Sequence, residues 1–219
     1  MKSIALIHTV KTLAISFDQK LKDYLDEEVK VHNLWDDFLA NNPNEIGEFT
    51  IDNRNRLFND IKSAELTGAD MIVVTCSTLT PVVGMIRPFI KVPVIAIDDA
   101  MGRKAVTYGE KVLVLATAGS TEGPMRDKIN AEAAAAGKKV SIDFMANAEA
   151  FKAMKALEMD KHDALLLEMA KSIKGYDCIV LAQASMAHLD HAIEEVCGIP
   201  TLSSPSLCLE EVKEKLKAL

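Results

Sequence analysis

One cysteine, one glutamine and a set of small hydroxyl residues carry most of the chemistry available to this 219-residue chain. Cys76 stands in the run Val73-Val74-Thr75-Cys76-Ser77-Thr78, where an apolar strand pattern gives way to a helical one. A thiol there meets the dipole and the free N–H groups of a helix start. Both favour the thiolate, the form that takes up protons or attacks carbon. Ser77 and Thr78 can cap the helix and offer hydroxyls to an anion. A cysteine is often no more than a small buried hydrophobe. The context of Cys76 argues otherwise, because the segment recurs. Gly68-Ala-Asp-Met-Ile-Val-Val-Thr-Cys aligns without a gap with Gly175-Tyr-Asp-Cys-Ile-Val-Leu-Ala-Gln, and Pro93 falls on Pro200. In the second copy the turn reads Gln183-Ala184-Ser185, so an amide stands where the first copy has the thiol.

Ligands of open parallel sheets bind beyond the carboxyl ends of the strands. That rule selects two further turns. His8-Thr9 closes the first apolar run, and Thr117-Ala118-Gly119-Ser120-Thr121 follows the run ending at Ala116. Thr117, Ser120 and Thr121 can present hydroxyls and N–H groups to a carboxylate, although a plain capping turn explains them equally well. His8 suits a general acid/base or a substrate contact, with a satisfied structural histidine close behind. His188 and His191 are spaced as a metal pair, but no third ligand is evident and a solvated helix face is the better reading, so no metal is expected. Asp98-Asp99 reads as a cap for the next helix. Cys178 falls on Met71 of the repeat and belongs to the core; Cys197 and Cys208 read as structural or surface thiols.

These turns need strands and helices to hold them. Strand-length apolar runs are expected near Ile4–Ile7, Val29–Leu34, Met71–Thr75, Val92–Ile97, Lys111–Ala116, Lys139–Phe144, Cys178–Ala182 and Ile199–Leu202. Their continuous apolar character suits parallel strands covered on both faces. Helices are expected over Asn53–Thr67, Thr78–Pro88, Asp99–Tyr108, Thr121–Ala136, Ala148–Ser172, Met186–Val196 and Ser206–Lys217. The alternation implies right-handed βαβ units. Ile4-Ala5-Leu6-Ile7-His8-Thr9 also aligns with Val112-Leu113-Val114-Leu115-Ala116-Thr117, so the repeat spans whole halves. The expected fold is α/β, with two similar flavodoxin-like lobes. Each has a roughly four-stranded parallel sheet flanked by helices; a pseudo-twofold axis relates them, with the active site between them. Residues 1–97 with 203–219 form one lobe and residues 98–202 the other.

A hydrophobic content of 49% suits compact cores. The net charge of −7 and the absence of a basic stripe argue against nucleic acid. No apolar run approaches the length of a membrane span. The chain enters a strand at Ile4 with no export signal ahead of it, so its four cysteines read as reduced thiols of a cytoplasmic protein. Neither G-x-G-x-x-G nor G-K-[ST] occurs, so no nucleotide cofactor is indicated.

Three segments together point to a family. The Val-Val-Thr-Cys-Ser-Thr turn, the Ala116–Pro124 run and Ile179-Val-Leu-Ala-Gln-Ala-Ser-Met-Ala187 resemble the aspartate/glutamate/hydantoin racemase superfamily, whose relatives include arylmalonate decarboxylase and maleate isomerase. The last segment is similar to the Gly-Cys-Ala-Gly-Met-Ala stretch of hydantoin racemases, with Gln183 at the second cysteine. The resemblance implies cofactor-independent proton transfer alpha to a carbonyl or carboxylate, with Cys76 and Gln183 as catalytic residues. It also implies a small carboxylate or cyclic amide as substrate, and a homo-oligomer. His8, Thr9, Ser77, Thr78, Thr117, Ser120, Thr121, Ala184 and Ser185 are then the substrate-binding set. A carboxamide cannot take up or deliver a proton near neutrality, so Gln183 departs from two-thiol racemisation. One-cysteine decarboxylation or cis/trans isomerisation is the alternative chemistry. A small-acid-binding remnant of the fold and a cysteine hydrolase using His8 are the competing classes.

Overall fold

The computed structural model describes residues 1–219, the side chain of residue 12 excepted. It resolves into two compact units, residues 1–98 with 208–219 and residues 99–207. The first unit holds a four-stranded parallel sheet of order β2-β1-β3-β4, formed by β1 (Ser3–His8), β2 (Lys30–Trp35), β3 (Met71–Val74) and β4 (Val94–Ala96). The second repeats the order as β6-β5-β7-β8, from β5 (Lys111–Ala116), β6 (Ser141–Ala146), β7 (Cys178–Leu181) and β8 (Thr201–Ser203).

Alternation along the central strands explains why both faces are covered. On one face of the first sheet, Ile7, Ile72 and Val74 pack against Leu57 and Ile61 of α3 (Ile51–Glu65) and Val83 of α4 (Thr80–Ile86). On the other face, Leu6, Met71 and Val73 meet Phe17 and Leu21 of α1 (Lys11–Tyr24) and Val212 of α10 (Ser204–Ala218). In the second sheet, Val114 and Val180 pack on Met101 of α5 (Asp99–Tyr108) and Ile129 of α6 (Glu122–Ala135). Leu115 and Leu181 pack on Ala150 of α7 (Ala148–Lys155), Leu166 of α8 (Met159–Ala170) and Ile193 of α9 (Asp190–Cys197). Burying side chains of this size contributes roughly 1.5–3 kcal/mol each, which makes these layers the main source of stability.

The repeat read from the sequence extends to individual hydrogen bonds. Ile72 N–H donates to Pro93 C=O at 2.9 Å, and Ile179 N–H to Pro200 C=O at 2.8 Å. Thr75 N–H reaches Ile7 C=O and Ala182 N–H reaches Leu115 C=O, both at 3.0 Å. Gly68 and Gly175, which open the two repeats, have φ of 76° and 81°, the left-handed region where glycine costs least. Asp70 and Asp177 then brace the first strand of their unit. Asp70 accepts from Ser3 N–H at 2.7 Å; Asp177 accepts from the N–H groups of Glu110 and Lys111, both at 2.8 Å.

Several sequence expectations are corrected. The edge strands β2 and β6 are not continuously apolar or covered on both faces: Lys30 and Trp35, and Ser141, Asp143 and Ala146, are exposed, as edge positions allow. α1 and α2 (Phe38–Ile46) were not expected. α1 starts at Val10 without a side-chain cap, and α2 contains Pro43. The helix expected over Ala148–Ser172 is two helices, broken at Leu157, which adopts φ of 61° without being glycine. The helix expected over Thr78–Pro88 is only seven residues of α4, flanked by 3-10 turns at Ser77–Leu79 and Arg87–Phe89. Of the two readings open for Cys208, the structural one holds, since it is fully buried in the core.

Candidate active site

Each unit places candidate site residues in the turn that leaves its central strands. In the first unit, β3 ends at Val74, Thr75 is buried, and Cys76 is half-buried in an extended conformation (φ −123°, ψ 114°). Ser77, Thr78 and Leu79 then form a 3-10 turn, closed by Leu79 N–H donating to Cys76 C=O at 3.1 Å. The first N–H groups of such a turn have no partner within it and point forward from the strand end. Ser77 is half-buried beside the thiol and Thr78 is exposed. Cys76 therefore heads a 3-10 turn, not the long helix expected, and the dipole behind it is correspondingly short.

The second unit repeats the geometry with different chemistry. Gln183 is half-buried and extended (φ −135°, ψ 137°), and Met186 N–H donates to its carbonyl at 3.0 Å, closing the equivalent turn. Its side chain is held firmly. The amide oxygen Oε1 accepts from Thr117 N–H at 2.7 Å and from Thr117 Oγ1–H at 2.9 Å. A backbone N–H can only donate, so the atom facing Thr117 must be the oxygen and the NH₂ group turns the other way. Thr121 Oγ1–H is likewise spent internally, on Ala118 C=O at 2.8 Å. Ser120 and Ala184 are exposed, and Ser185 is half-buried.

Extending the strand registers shows why Thr117 meets Gln183. β5 pairs Leu115 with Leu181, so two residues on Thr117 lies beside Gln183. β1 pairs Ile7 with Val74, so two residues on Thr9 lies beside Cys76. Thr9 is 4% exposed, and its Oγ1 has no hydrogen-bond partner among the described residues.

His8 is fully buried and both its ring nitrogens are engaged. Nδ1 lies 2.7 Å from Thr75 Oγ1 and Nε2 lies 3.1 Å from Asn33 Oδ1. Asn33 donates its NH₂ to Asp18 Oδ2 at 3.0 Å, which fixes its oxygen toward His8. Neutral His8 then carries its proton on Nε2 and accepts the Thr75 hydroxyl at Nδ1. Burial lowers the His8 pKa, against the opposing pull of Asn33 and Asp18. The string Asp18–Asn33–His8–Thr75 thus ends one residue before Cys76. Sequence reading named His8 alone. The polar residue Asn33 within an apolar strand and Thr75 beside the thiol were the available signals for the rest.

Farther out, Asp36 just after β2 is 6% exposed and ion-paired to Arg56, with Asp60 beside it. Burial and the neighbouring Asp36 push Asp60 up to about 7. Burial also opposes the Asp36 carboxylate, yet Arg56 and Asp60 hold it below the usual range. This cluster was not found from sequence, although Asp36 follows a strand and Arg56 and Asp60 share one face of α3. His188 lies in the 3-10 turn Ala184–Leu189 and donates to Asp163 Oδ2 at 2.8 Å; buried His162 meets the other oxygen at 2.7 Å. That arrangement ties the Gln183 turn to α8, while His188 itself stays exposed, as a solvated face requires. Asp98 accepts from Thr80 Oγ1–H at 2.6 Å, and Asp99 from Lys128 at 2.6 Å. Burial and the charge of Asp177 push buried Cys178 up to about 12, which makes it inert. An open hollow of about 600 Å³ beside Lys62 and Lys91 lies at the opposite, N-terminal end of the first sheet, away from these turns.

Residues 38–212 match the family model described as Asp/Glu/hydantoin racemase. The chain belongs to the Asp/Glu/hydantoin racemase family. No curated protein matches it in sequence. Solved structures share its fold. An aspartate racemase homologue from Pyrococcus horikoshii is 16% identical, with a TM-score of 0.70 over 99% of this chain and 100% of that one. A glutamate racemase from Bacillus anthracis is 14% identical, with a TM-score of 0.69 over 99% and 82%. Allantoin racemase from Klebsiella pneumoniae is 14% identical, with a TM-score of 0.67 over 100% and 89%. As a member of this racemase family the chain is an enzyme of the isomerase class, with the two four-stranded parallel sheets of the family fold. No helix among the described residues is long and apolar enough to cross a membrane.

Proposed function

We propose that the chain is a cofactor-independent isomerase that moves the proton alpha to a carbonyl or carboxylate in a small carboxylate or cyclic amide, using one thiol. Cys76 acts as the acid/base. Ser77, Thr78 and Ser185 orient the substrate, with Thr9, Ser120 and Ala184 lining its place. The observation that carries the one-thiol reading is Gln183, whose amide oxygen is tied to Thr117 by two hydrogen bonds. An amide so fixed offers N–H donors to a substrate oxygen and no proton acceptor of useful basicity. His8 is assigned to positioning, because both of its nitrogens already have partners. The allantoin racemase among the structural neighbours makes a cyclic ureide the natural first compound to try. The working form is proposed to be a cytoplasmic homo-oligomer, which light scattering on the purified chain checks for assembly state.

The test is proton exchange in deuterated water, followed by NMR, for 5-substituted hydantoins, malonates and acidic amino acids. Cys76 alkylation is followed in parallel. Exchange at one alpha carbon, with the same compound protecting Cys76 from alkylation, supports the reading. Exchange that persists in Cys76→Ala removes it.

A further inference from the structure

The two units place a threonine at the same position, and among the described residues only the second unit's hydroxyl has an acceptor. In the second unit, Thr117 N–H and Oγ1–H together grip a carboxamide oxygen, that of Gln183. In the first, register places Thr9 beside Cys76 as Thr117 lies beside Gln183. The Thr9 hydroxyl is buried and unpartnered among the described residues. A buried hydroxyl without a partner is destabilising. Such a group persists where an outside acceptor repays it.

The side chains beside the two threonines differ in reach. The glutamine side chain runs Cβ–Cγ–Cδ–Oε1, whereas cysteine ends at Sγ, one atom beyond Cβ. A glutamine at 76 would bring its own oxygen to Thr9. A cysteine stops short, so an oxygen bound by Thr9 must come from a ligand, and its carbonyl carbon would lie next to the sulfur.

We propose that Thr9 N–H and Oγ1–H form an oxygen-binding subsite for a neutral amide-type carbonyl, of a ring imide, ureide or carboxamide, and that Gln183 fills the matching subsite of the second unit with its own amide. This deepens the reading under Proposed function and rests on it for the chemistry, though not for the binding. The subsite offers two neutral donors and no cation, and what its twin holds is itself a neutral carboxamide. When Cys76 takes the proton alpha to that carbonyl, the electron pair of the broken C–H bond moves into the C–C bond and the negative charge settles on the carbonyl oxygen. Two donors already aimed at that oxygen stabilise the enolate more than the starting amide. The proton returns from the Cys76 thiol, so the step balances without a further reactant.

The experiment measures binding of 5-methylhydantoin by calorimetry to the whole chain carrying Cys76→Ser, and to that chain with Thr9→Val or Thr9→Ser added. Thermal midpoints are recorded without ligand. The subsite predicts about tenfold weaker binding for Thr9→Val, the size of one lost hydrogen bond. Thr9→Ser should stay within about threefold. The unliganded midpoint of Thr9→Val should be equal to or above that of its parent, because a methyl replaces a hydroxyl without a partner. Unchanged binding in Thr9→Val overturns the proposal, as does a fall in its midpoint with binding lost equally in Thr9→Ser. Absent hydantoin binding alongside Thr9-dependent binding of methylmalonate, which has carboxylates and no amide, overturns the amide class. Thr9-dependent binding without proton exchange in the unmodified chain leaves the subsite standing and removes the isomerase reading. Proton exchange that Thr9→Val leaves unchanged in kcat and KM does the reverse.

Discussion

The turn after β3 and the turn after β7 have nearly the same backbone and opposite chemistry. Each leaves a central strand in an extended conformation, closes a 3-10 turn on its first residue, and lies beside a buried threonine from the neighbouring strand. In the first unit that residue is a thiol, and the threonine hydroxyl has no partner among the described residues. In the second it is an amide, and the threonine gives both its donors to it. The difference separates two jobs that a duplicated scaffold can share. In the second turn the glutamine oxygen and both threonine donors are satisfied from within. The first leaves its reactive groups to an outside molecule and bears the cost in stability, a common pattern where function requires an imperfect local fit.

The sharpest way to break this comparison is to remove each head group in turn. Cys76→Ala should lower alpha-proton exchange by about a thousandfold or more, the scale of a lost acid/base. Gln183→Ala should lower it by roughly ten- to a hundredfold, because it removes only hydrogen-bond donors. Equal losses in the two variants would mean that the units share the proton chemistry, and the contrast would fall. Exchange rates in deuterated water decide it.

How much of this contrast was legible in the sequence depends on the scale. The repeat was visible in residue types, since Gly68/Gly175, Asp70/Asp177 and Pro93/Pro200 occupy positions whose backbone demands are strong. The central strands followed from their apolar runs. The edge strands were blurred because one side of β2 and β6 meets solvent, so Asn33 and Asp143 interrupt the pattern. α1 escaped because its start lacks a capping side chain, and the break at Leu157 because no glycine marks it. At the site, the identities of Cys76 and Gln183 were readable, but not the rotamer that turns the amide oxygen onto Thr117. Strand register decides that contact, and residues 66 positions apart show no local signal for it.

A smaller effect tests the self-satisfied turn. Thr117→Val removes one of the two bonds to Gln183 and leaves its amide oxygen half-served. Stability should fall by about 1–2 kcal/mol by urea titration. Thr9→Val should show no such loss, so the same substitution at two repeat-related positions should differ in sign or size. A double-mutant cycle between Thr117→Val and Gln183→Met should then show coupling on the order of 0.5–1 kcal/mol. Additive effects would mean that the bonds contribute nothing beyond shape, and the account of a self-satisfied turn would fail.

The mildest prediction concerns pH, and the first unit again differs from the second. β2 is followed by Asp36, packed with Arg56 and Asp60, whereas β6 is followed by Asn147, an uncharged cap that accepts from Ala150 N–H at 3.0 Å. Burial and Asp36 raise Asp60 to about 7 in the folded chain, from 3.8 for an ordinary aspartate. The folded state therefore holds this proton more tightly than the unfolded state. Its contribution is fully present below pH 4 and fades as pH rises through about 7. His8 acts in the opposite sense. Burial depresses its pKa below 6.5, so the unfolded state binds its proton more readily and the stability it brings is lost as pH falls below that value. Between pH 5 and 7 the two slopes oppose each other, and the thermal midpoint of the unmodified chain should change little on their account. Asp60→Asn replaces the protonated carboxyl with an amide that can still donate to Asp36. It should leave only the histidine slope, with the midpoint rising from pH 5 to 7 and exceeding that of the unmodified chain above pH 7. A variant whose midpoint follows the unmodified curve throughout would show that Asp60 ionises as an ordinary surface carboxylate. The acid cluster would then have no part in what distinguishes the first unit from the second.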